Sequence, residues 1–238
     1  MSSHSEKGHC KNVANFEAEI SFCTAYGAAY NPSKQSLTTD ALDELLSQSQ
    51  NSLSEVTNAK NLLDLRINER QIAFSALKPT STRIINALGV TDASKQTVDD
   101  AKSINKKIQG GRSSAKPLED EEKKAISTSQ QSYDSLVENF SKLVDLVSSE
   151  LSYIPNEEEL QVATLNTYTQ QLRTANTNII NANTVYSNCM ISRDNILYAN
   201  DTGLVDTALN VKKYVKSVFG ATSPQYKQVS KLEFTRPK

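Results

Sequence analysis

The sequence predicts an all-α protein, an elongated antiparallel helical bundle made of two tandem, pseudo-symmetric helical repeats. Three observations carry this reading. Apolar residues recur at helical spacing over long stretches, glycine and proline are sparse and fall between those stretches, and the chain matches itself at a fixed offset. At 238 residues it is long enough for one large domain or two ordinary ones with a real core.

The self-match is ungapped. Sliding the chain by 123 residues sets Tyr30, Pro32, Leu37, Leu42, Gln48, Asn58, Ala59 and Arg70 on Tyr153, Pro155, Leu160, Leu165, Gln171, Asn181, Ala182 and Arg193. Eight identities over the 45 positions from 30 to 74 stand against roughly 3 expected from average composition. A shift to 131 then matches Gly89, Thr91 and Val98 to Gly220, Thr222 and Val229, so eight extra residues fall near 199–206.

The elements follow in order. An amphipathic helix over about 12–29 ends at a Tyr-x-Pro corner, and a very long helix follows over about 34–77. Its seam runs through Leu42, Leu46, Ser49, Leu53, Val56, Lys60, Leu63, Ile67, Arg70, Phe74 and Leu77 in alternating steps of four and three, until Pro79 stops it. At a rise of ~1.5 Å per residue such a helix is roughly 60 Å long, which suits a rod. Shorter helices are expected over about 80–88 and 93–109. The second repeat reads the same way, with helices over about 119–152, 157–198, 204–219 and 224–232.

Ser33 and Asn156 stand where N-caps are expected, Glu157, Glu158 and Glu159 place negative charge in a first turn, and Gly89 and Gly220 stand where helix ends favour a left-handed residue. The expected organisation is a flexible N-terminal tail over 1–11, repeat one over 12–109, a Gly-Gly-containing linker over 110–118 and repeat two over 119–238. A helical hairpin with one apolar seam buries little alone, so the repeats are expected to pack on each other.

Composition bounds the function. The formal net charge of −1 gives no global field for nucleic acid or an anionic membrane. The first ten residues hold no apolar secretory core, and no stretch approaches the roughly 20 apolar residues that span a bilayer, which points to the cytoplasm. Cys10, Cys23 and Cys189 are odd in number and widely spaced, which argues for reduced thiols, with Cys23 and Cys189 as small core residues.

The chemistry of helical bundles commonly needs His on facing helices, and the only histidines, His4 and His9, fall with Cys10 in the expected tail, where they read as solvated residues. No phosphate-cradling glycine motif occurs, so no cofactor, metal, catalytic group or small-molecule substrate is implied. The candidate site residues are Arg70 and Arg193, a duplicated pair on the apolar seams, read as register-fixing charges or an anion site. Tyr30 and Tyr153 read as packing residues at the corners.

Charge is uneven along the chain. Residues 119–159 hold 11 acidic and 3 basic side chains, residues 211–238 hold 7 basic and 1 acidic, and residues 102–116 add 5 basic. These blocks read as solvated faces and helix-end lysines, or as complementary docking surfaces.

The strings over 83–88 (RIINAL), 99–110 (DDAKSINKKIQG) and 211–229 (VKKYVKSVFGATSPQYKQV) resemble a family of internally duplicated helical proteins of flavobacteria and other Bacteroidota. The resemblance implies a bacterial host and brings no activity, cofactor or catalytic residue.

The functional expectation is a non-enzymatic helical scaffold or protein–protein interaction protein that associates with a protein partner or with itself. The alternative is a membrane-active, pore-forming-like bundle with residues 20–30 as its apolar segment. Nucleic-acid binding through the basic C-terminal segment lacks any reading motif.

Overall fold

The computed structural model describes residues 4–110 and 131–237, with side chains from residue 8 onward. Among them lie eight α-helices, three 3-10 turns and no strand. The helices are α1 His4–Ala25, α2 Thr39–Ser75, α3 Leu77–Leu88, α4 Lys95–Gln109, α5 Tyr133–Ser149, α6 Val162–Tyr198, α7 Leu204–Phe219 and α8 Pro224–Ser230. The all-α expectation therefore holds. The linker expected over 110–118 and the start of the helix expected over 119–152 lie outside the described residues, Gly110 excepted.

Several boundaries differ from expectation, each for a local reason. The tail expected over 1–11 is helix from His4 onward, because His9 and Asn12 continue the buried stripe of α1 and find partners there. Pro79 does not end the long helix from outside; it sits in the first turn of α3, and α2 stops at Ser75. The proline has no N–H for the Ser75 carbonyl four residues back, and its ring would collide with that carbonyl. The chain turns at Ala76 and helix resumes at Leu77, with Thr80 N–H reaching Ala76 O at 2.9 Å.

Ser33 and Asn156 do not cap the long helices. Each long helix is preceded by a 3-10 turn, Gln35–Leu37 before α2 and Glu158–Leu160 before α6. The corner tyrosines hold these turns: the buried Tyr30 hydroxyl donates to Leu37 O at 2.8 Å, and the buried Tyr153 hydroxyl donates to Leu160 O at 3.0 Å. True side-chain caps occur at Ser94, Ser132 and Ser223, whose hydroxyls accept the N–H of Thr97, Ser135 and Tyr226. Gly220 does turn with positive φ (+88°), whereas Gly89 keeps φ −67°.

The chain forms two compact units, and these do not follow the sequence halves. Unit 1 is Met1–Leu62 with Asn183–Lys238, and unit 2 is Leu63–Ala182. The boundaries fall inside α2 and α6, each 37 residues long. In unit 2, α4 packs on α3 and α5, and α3 on the turn Glu158–Leu160. Its core gathers Leu77, Ile84, Leu88, Ile108, Phe140, Leu143, Leu165 and Leu172. In unit 1, α7 packs on α1, α8 and the turn Gln35–Leu37. Its core gathers Phe16, Ile20, Cys23, Leu42, Leu197, Leu204, Val211, Val215 and Val229.

Candidate functional site

Arg70 and Arg193 belong to different units and have different surroundings. In unit 2, the Arg70 guanidinium stacks on the Tyr133 ring at 3.8 Å, and Phe74 meets the same ring edge-on at 4.7 Å. Its Nε is buried without a hydrogen-bond partner, which suits a planar cation held by an aromatic face. In unit 1, Arg193 is 4% exposed and donates through Nε and Nη2 to Asp194 Oδ1 at 3.0 and 2.9 Å. Both arginines thus engage side chains of their own unit.

Other expected residues are distributed as follows. His9 is buried, with its Nδ1 2.5 Å from the Tyr198 hydroxyl, while Cys10 is exposed. The solvated-tail expectation for His9 is corrected by that contact. Of the expected core thiols Cys23 is buried and Cys189 only half-buried. Burial pushes the Cys23 thiol up to about 12, as expected of an inert thiol. Within 20–30, the segment considered for membrane contact, Ile20, Cys23 and Tyr30 are in the unit 1 core. No described helix is long and apolar enough to cross a membrane. Among the described residues no group of three or more His, Cys, Asp or Glu side chains is placed to hold a metal.

The charged blocks are partly spoken for. In the basic C-terminal block, Arg236 pairs with Asp206 at 2.7 Å and donates to Tyr198 O at 2.8 Å, and Lys212 donates to Leu232 O. Residues 119–130 of the acidic block, with Arg112 and Lys116 of the basic one, lie outside the described residues.

Unit 2 carries a surface cleft of about 470 Å3, which runs between the C-terminal half of α3 and the corner after α5. Arg83, Asn86, Ala87 and Val90 form one wall; Tyr153, Ile154 and Pro155 form the other. Its lining mixes polar side chains such as Arg83, Asn86, Asn156 and Glu157 with large aliphatic ones left in water: Val90 is 87% exposed and Ile154 80%, and Leu151 nearby in sequence is 92% exposed. Arg83, on the cleft wall, meets Glu159 at 2.5 Å, an exposed pair of small energetic weight. A second depression of about 350 Å3 between α2 and α6 in unit 2 is lined by Arg66, Glu69 and Ala73 on one side and Gln170, Gln171 and Ala175 on the other, and the surface these side chains present to it is mainly their apolar parts.

The corner of unit 1 is built differently. There the Tyr214 ring meets Tyr30 edge-on at 5.3 Å, and its hydroxyl accepts Asn31 N–H at 3.2 Å. The fully or nearly buried residues of α7 (Leu204, Ala208, Val211, Val215) have the spacing of those of α3 (Leu77, Ser81, Ile84, Leu88). On that register Tyr214 falls where α3 has Ala87. The methyl of Ala87 leaves open the volume that a phenol ring fills in unit 1.

The same comparison exposes the most unusual side chain in the molecule. Six buried positions on α5 (136, 137, 140, 143, 144 and 147) have the spacing of six on α1 (12, 13, 16, 19, 20 and 23), while Asn139 of α5 and His9 of α1 are buried in addition and have no buried counterpart. Leu143 occupies the fourth position in unit 2; Glu19 occupies it in unit 1, and both are 0% exposed. Neither Glu19 carboxyl oxygen meets a hydrogen-bond partner. Burial pushes Glu19 up to about 9, against the attraction of the Lys212 ammonium, so it is neutral at pH 7. Burial likewise raises Tyr30, with Cys23 and Glu19 adding to the shift.

Sequence reasoning did not find Glu19 because an acidic residue on a helix ordinarily reads as solvated. The available signal was Asn15-Phe16 against Asn139-Phe140, an offset of 124 instead of 123. The difference is one residue at the corner, where unit 1 takes up a left-handed Gly27 (φ +60°).

No protein-family model matches the chain, and no curated protein and no solved structure matches it.

Proposed function

We propose that the chain is a non-enzymatic helical scaffold, built of two tandem pseudo-symmetric repeats, that self-associates through the cleft of unit 2 and the exposed aliphatic side chains on and beside it. The repeat reading is supported by the two 37-residue helices, by the matching corner bonds of Tyr30 and Tyr153, and by the common stripe of α1 and α5. It also accounts for the eight extra residues. Five residues separate α6 from α7 where Ala76 alone separates α2 from α3, and α7 has 16 residues where α3 has 12. On this reading the chain belongs with the duplicated bacterial family its sequence resembles.

The observation that carries the interaction role is the exposure of Val90 and Ile154 on the cleft, with Leu151 exposed three residues before Ile154. Large aliphatic side chains left in water lose the free energy of burial, about 2 kcal/mol each, unless a partner covers them. The concavity suits insertion of an apolar side chain at the centre of an interface. The orphaned Glu19 is sealed inside unit 1 and offers no access for a substrate, which favours binding over catalysis.

Light scattering over a range of protein concentrations tests this. The native chain is expected to form a discrete oligomer, and Ile154→Lys with Leu151→Lys to leave a monomer of unchanged helicity. A native chain that stays monomeric at the highest concentration, or a double variant that assembles as before, removes the proposal.

A further inference from the structure

Each unit turns its corner at a buried tyrosine whose hydroxyl is tied to the carbonyl seven residues on, and each lays a helix on the turn that follows, α7 on Gln35–Leu37 and α3 on Glu158–Leu160. The Tyr153 ring is thus fixed in the same way as the Tyr30 ring, but what lies against the two rings differs. Tyr30 has the Tyr214 ring edge-on at 5.3 Å and 86°, and the Tyr214 hydroxyl accepts Asn31 N–H at 3.2 Å. Tyr153 faces the cleft, with only the methyl of Ala87 on the wall where that second ring would stand. Ile154, which matches Asn31, gives its N–H to Ser152 O at 3.1 Å in a tight three-residue turn.

Two rim positions change together with the missing ring. Where unit 1 has the exposed Asn31, unit 2 has Ile154, and where α7 has the exposed Ser217, unit 2 has Val90 just past the end of α3. The polar pair stands beside a filled site and the aliphatic pair beside an open one. Aliphatic side chains left in water at the mouth of a ring-sized hollow gain most when a ring enters between them. We propose that the hollow beside Ala87 is a tyrosine-binding site: a tyrosine side chain of a protein partner enters it, meets Tyr153 edge-on, turns its hydroxyl to Ile154 N–H and is covered by Val90 and Ile154. This rests on the reading of the two units as repeats and of the cleft as an interaction surface.

The hollow alone admits any apolar side chain, and the neighbouring groups select among them. A leucine offers Tyr153 no ring to pack edge-on, and a phenylalanine leaves Ile154 N–H with its turn bond only. The partner is a different protein, because all nine tyrosines of this chain lie among the described residues and each is buried or half-buried in its own chain. Glu157 on the cleft wall and Glu158 and Glu159 after it are exposed, so basic residues beside the partner's tyrosine suit the site and acidic ones do not. An entering tyrosine also takes the space that self-association uses, so the partner competes with a second copy.

The probe is N-acetyl-tyrosinamide, titrated into the full native chain below the concentration at which light scattering detects assembly. Saturable movement of the Ile154 amide and Tyr153 ring resonances is expected, with a dissociation constant of about 1–10 mM. N-acetyl-phenylalaninamide is expected to bind at least about threefold more weakly for want of the hydroxyl. Lysine on both sides of the tyrosine should tighten binding at low salt, and glutamate should weaken it. Ala87→Tyr, with helicity unchanged, is expected to abolish the response, because the hollow is then filled from within. Val90→Ser with Ile154→Asn, which installs the unit 1 rim and leaves the hollow open, is expected to weaken binding about fivefold or more and serves if Ala87→Tyr does not fold. The proposal is overturned if Ile154 does not move, if the phenylalanine derivative binds equally well, or if either folded variant binds as the native chain does. A chain that binds the probe yet stays monomeric at every concentration removes the self-association reading and leaves this one standing; a chain that assembles without any response at Ile154 does the reverse.

Discussion

At the centre of its first helix, unit 2 places Leu143 between Phe140 and Val147; unit 1 places Glu19 between Phe16 and Cys23, equally inaccessible to water. At the corner the contrast has another form: Tyr214 packs on Tyr30 in unit 1, and Ala87 leaves a cleft beside Tyr153 in unit 2. Unit 1 thus accommodates a carboxyl in its core, and unit 2 an open cleft with aliphatic side chains exposed on it. A stripe of buried positions specifies which side chains lose water, and their chemistry then determines what the unit does with the loss. Leucine in that setting contributes stability at every pH. A carboxyl without a donor is accommodated by keeping its proton.

The comparison can be broken by exchanging its members. The largest effect is expected from Leu143→Glu, which puts an unpartnered carboxyl into unit 2 and should destabilise it by about 4 kcal/mol at pH 7. Urea unfolding followed by amide exchange within residues 63–182 would register it, and a change under about 1 kcal/mol would mean that the unit 2 core is looser than its burial indicates. Next in size are the corner bonds. Tyr30→Phe and Tyr153→Phe each leave a buried carbonyl unpaired and should each lower stability by about 1–2 kcal/mol, with the two losses alike. Markedly unequal losses would show that the corners are not equivalent.

Smaller effects sharpen the contrast. Arg70→Met removes the cation from the Tyr133 face and should lower the midpoint of unit 2 unfolding by about 0.5–1 kcal/mol, an effect that does not depend on any bound anion. Added phosphate or sulfate stabilising the native chain but not this variant would favour the anion-site reading of that arginine. Ala87→Tyr fills the cleft as Tyr214 fills its counterpart. Stability should change by less than about 1 kcal/mol while self-association falls, and light scattering that shows unaltered assembly would dissociate the cleft from the interface.

How much of this the amino-acid sequence reveals depends on the kind of interaction involved. Helix identity is legible because side-chain periodicity and backbone geometry are local: the steps through Leu42, Ser49, Val56 and Leu63 declare a stripe whatever it faces. Helix ends are less legible, since Pro79 is accepted in a first turn as readily as it ends a helix, and a hydroxyl such as Ser33 caps only where the backbone turns. The partition into units is not legible at all. An unbroken periodicity through Leu62–Leu63 carries no mark of where one set of neighbours gives way to another.

The site residues divide in the same way. Arg70 and Arg193 were visible because a charge interrupts an apolar seam, but the aromatic face of Tyr133 and the carboxylate of Asp194 that receive them depend on tertiary placement. Glu19 and the cleft needed more: each is recognised only by setting one unit beside the other, across the one-residue difference at Gly27 and the longer helix α7.

The most direct test compares the native chain with Glu19→Leu by urea unfolding between pH 4.5 and pH 8, with unit 1 followed through its own amides. A carboxyl raised in the folded state confers its full stability below the unfolded value near 4.5 and loses it progressively as pH rises towards about 9. The native chain should therefore fall behind the variant by about 3 kcal/mol more at pH 7 than at pH 4.5, with unit 2 unaffected. Stability curves for native chain and variant that run parallel over this range would contradict the account, because Glu19 would then carry its charge inside unit 1 or lie in water.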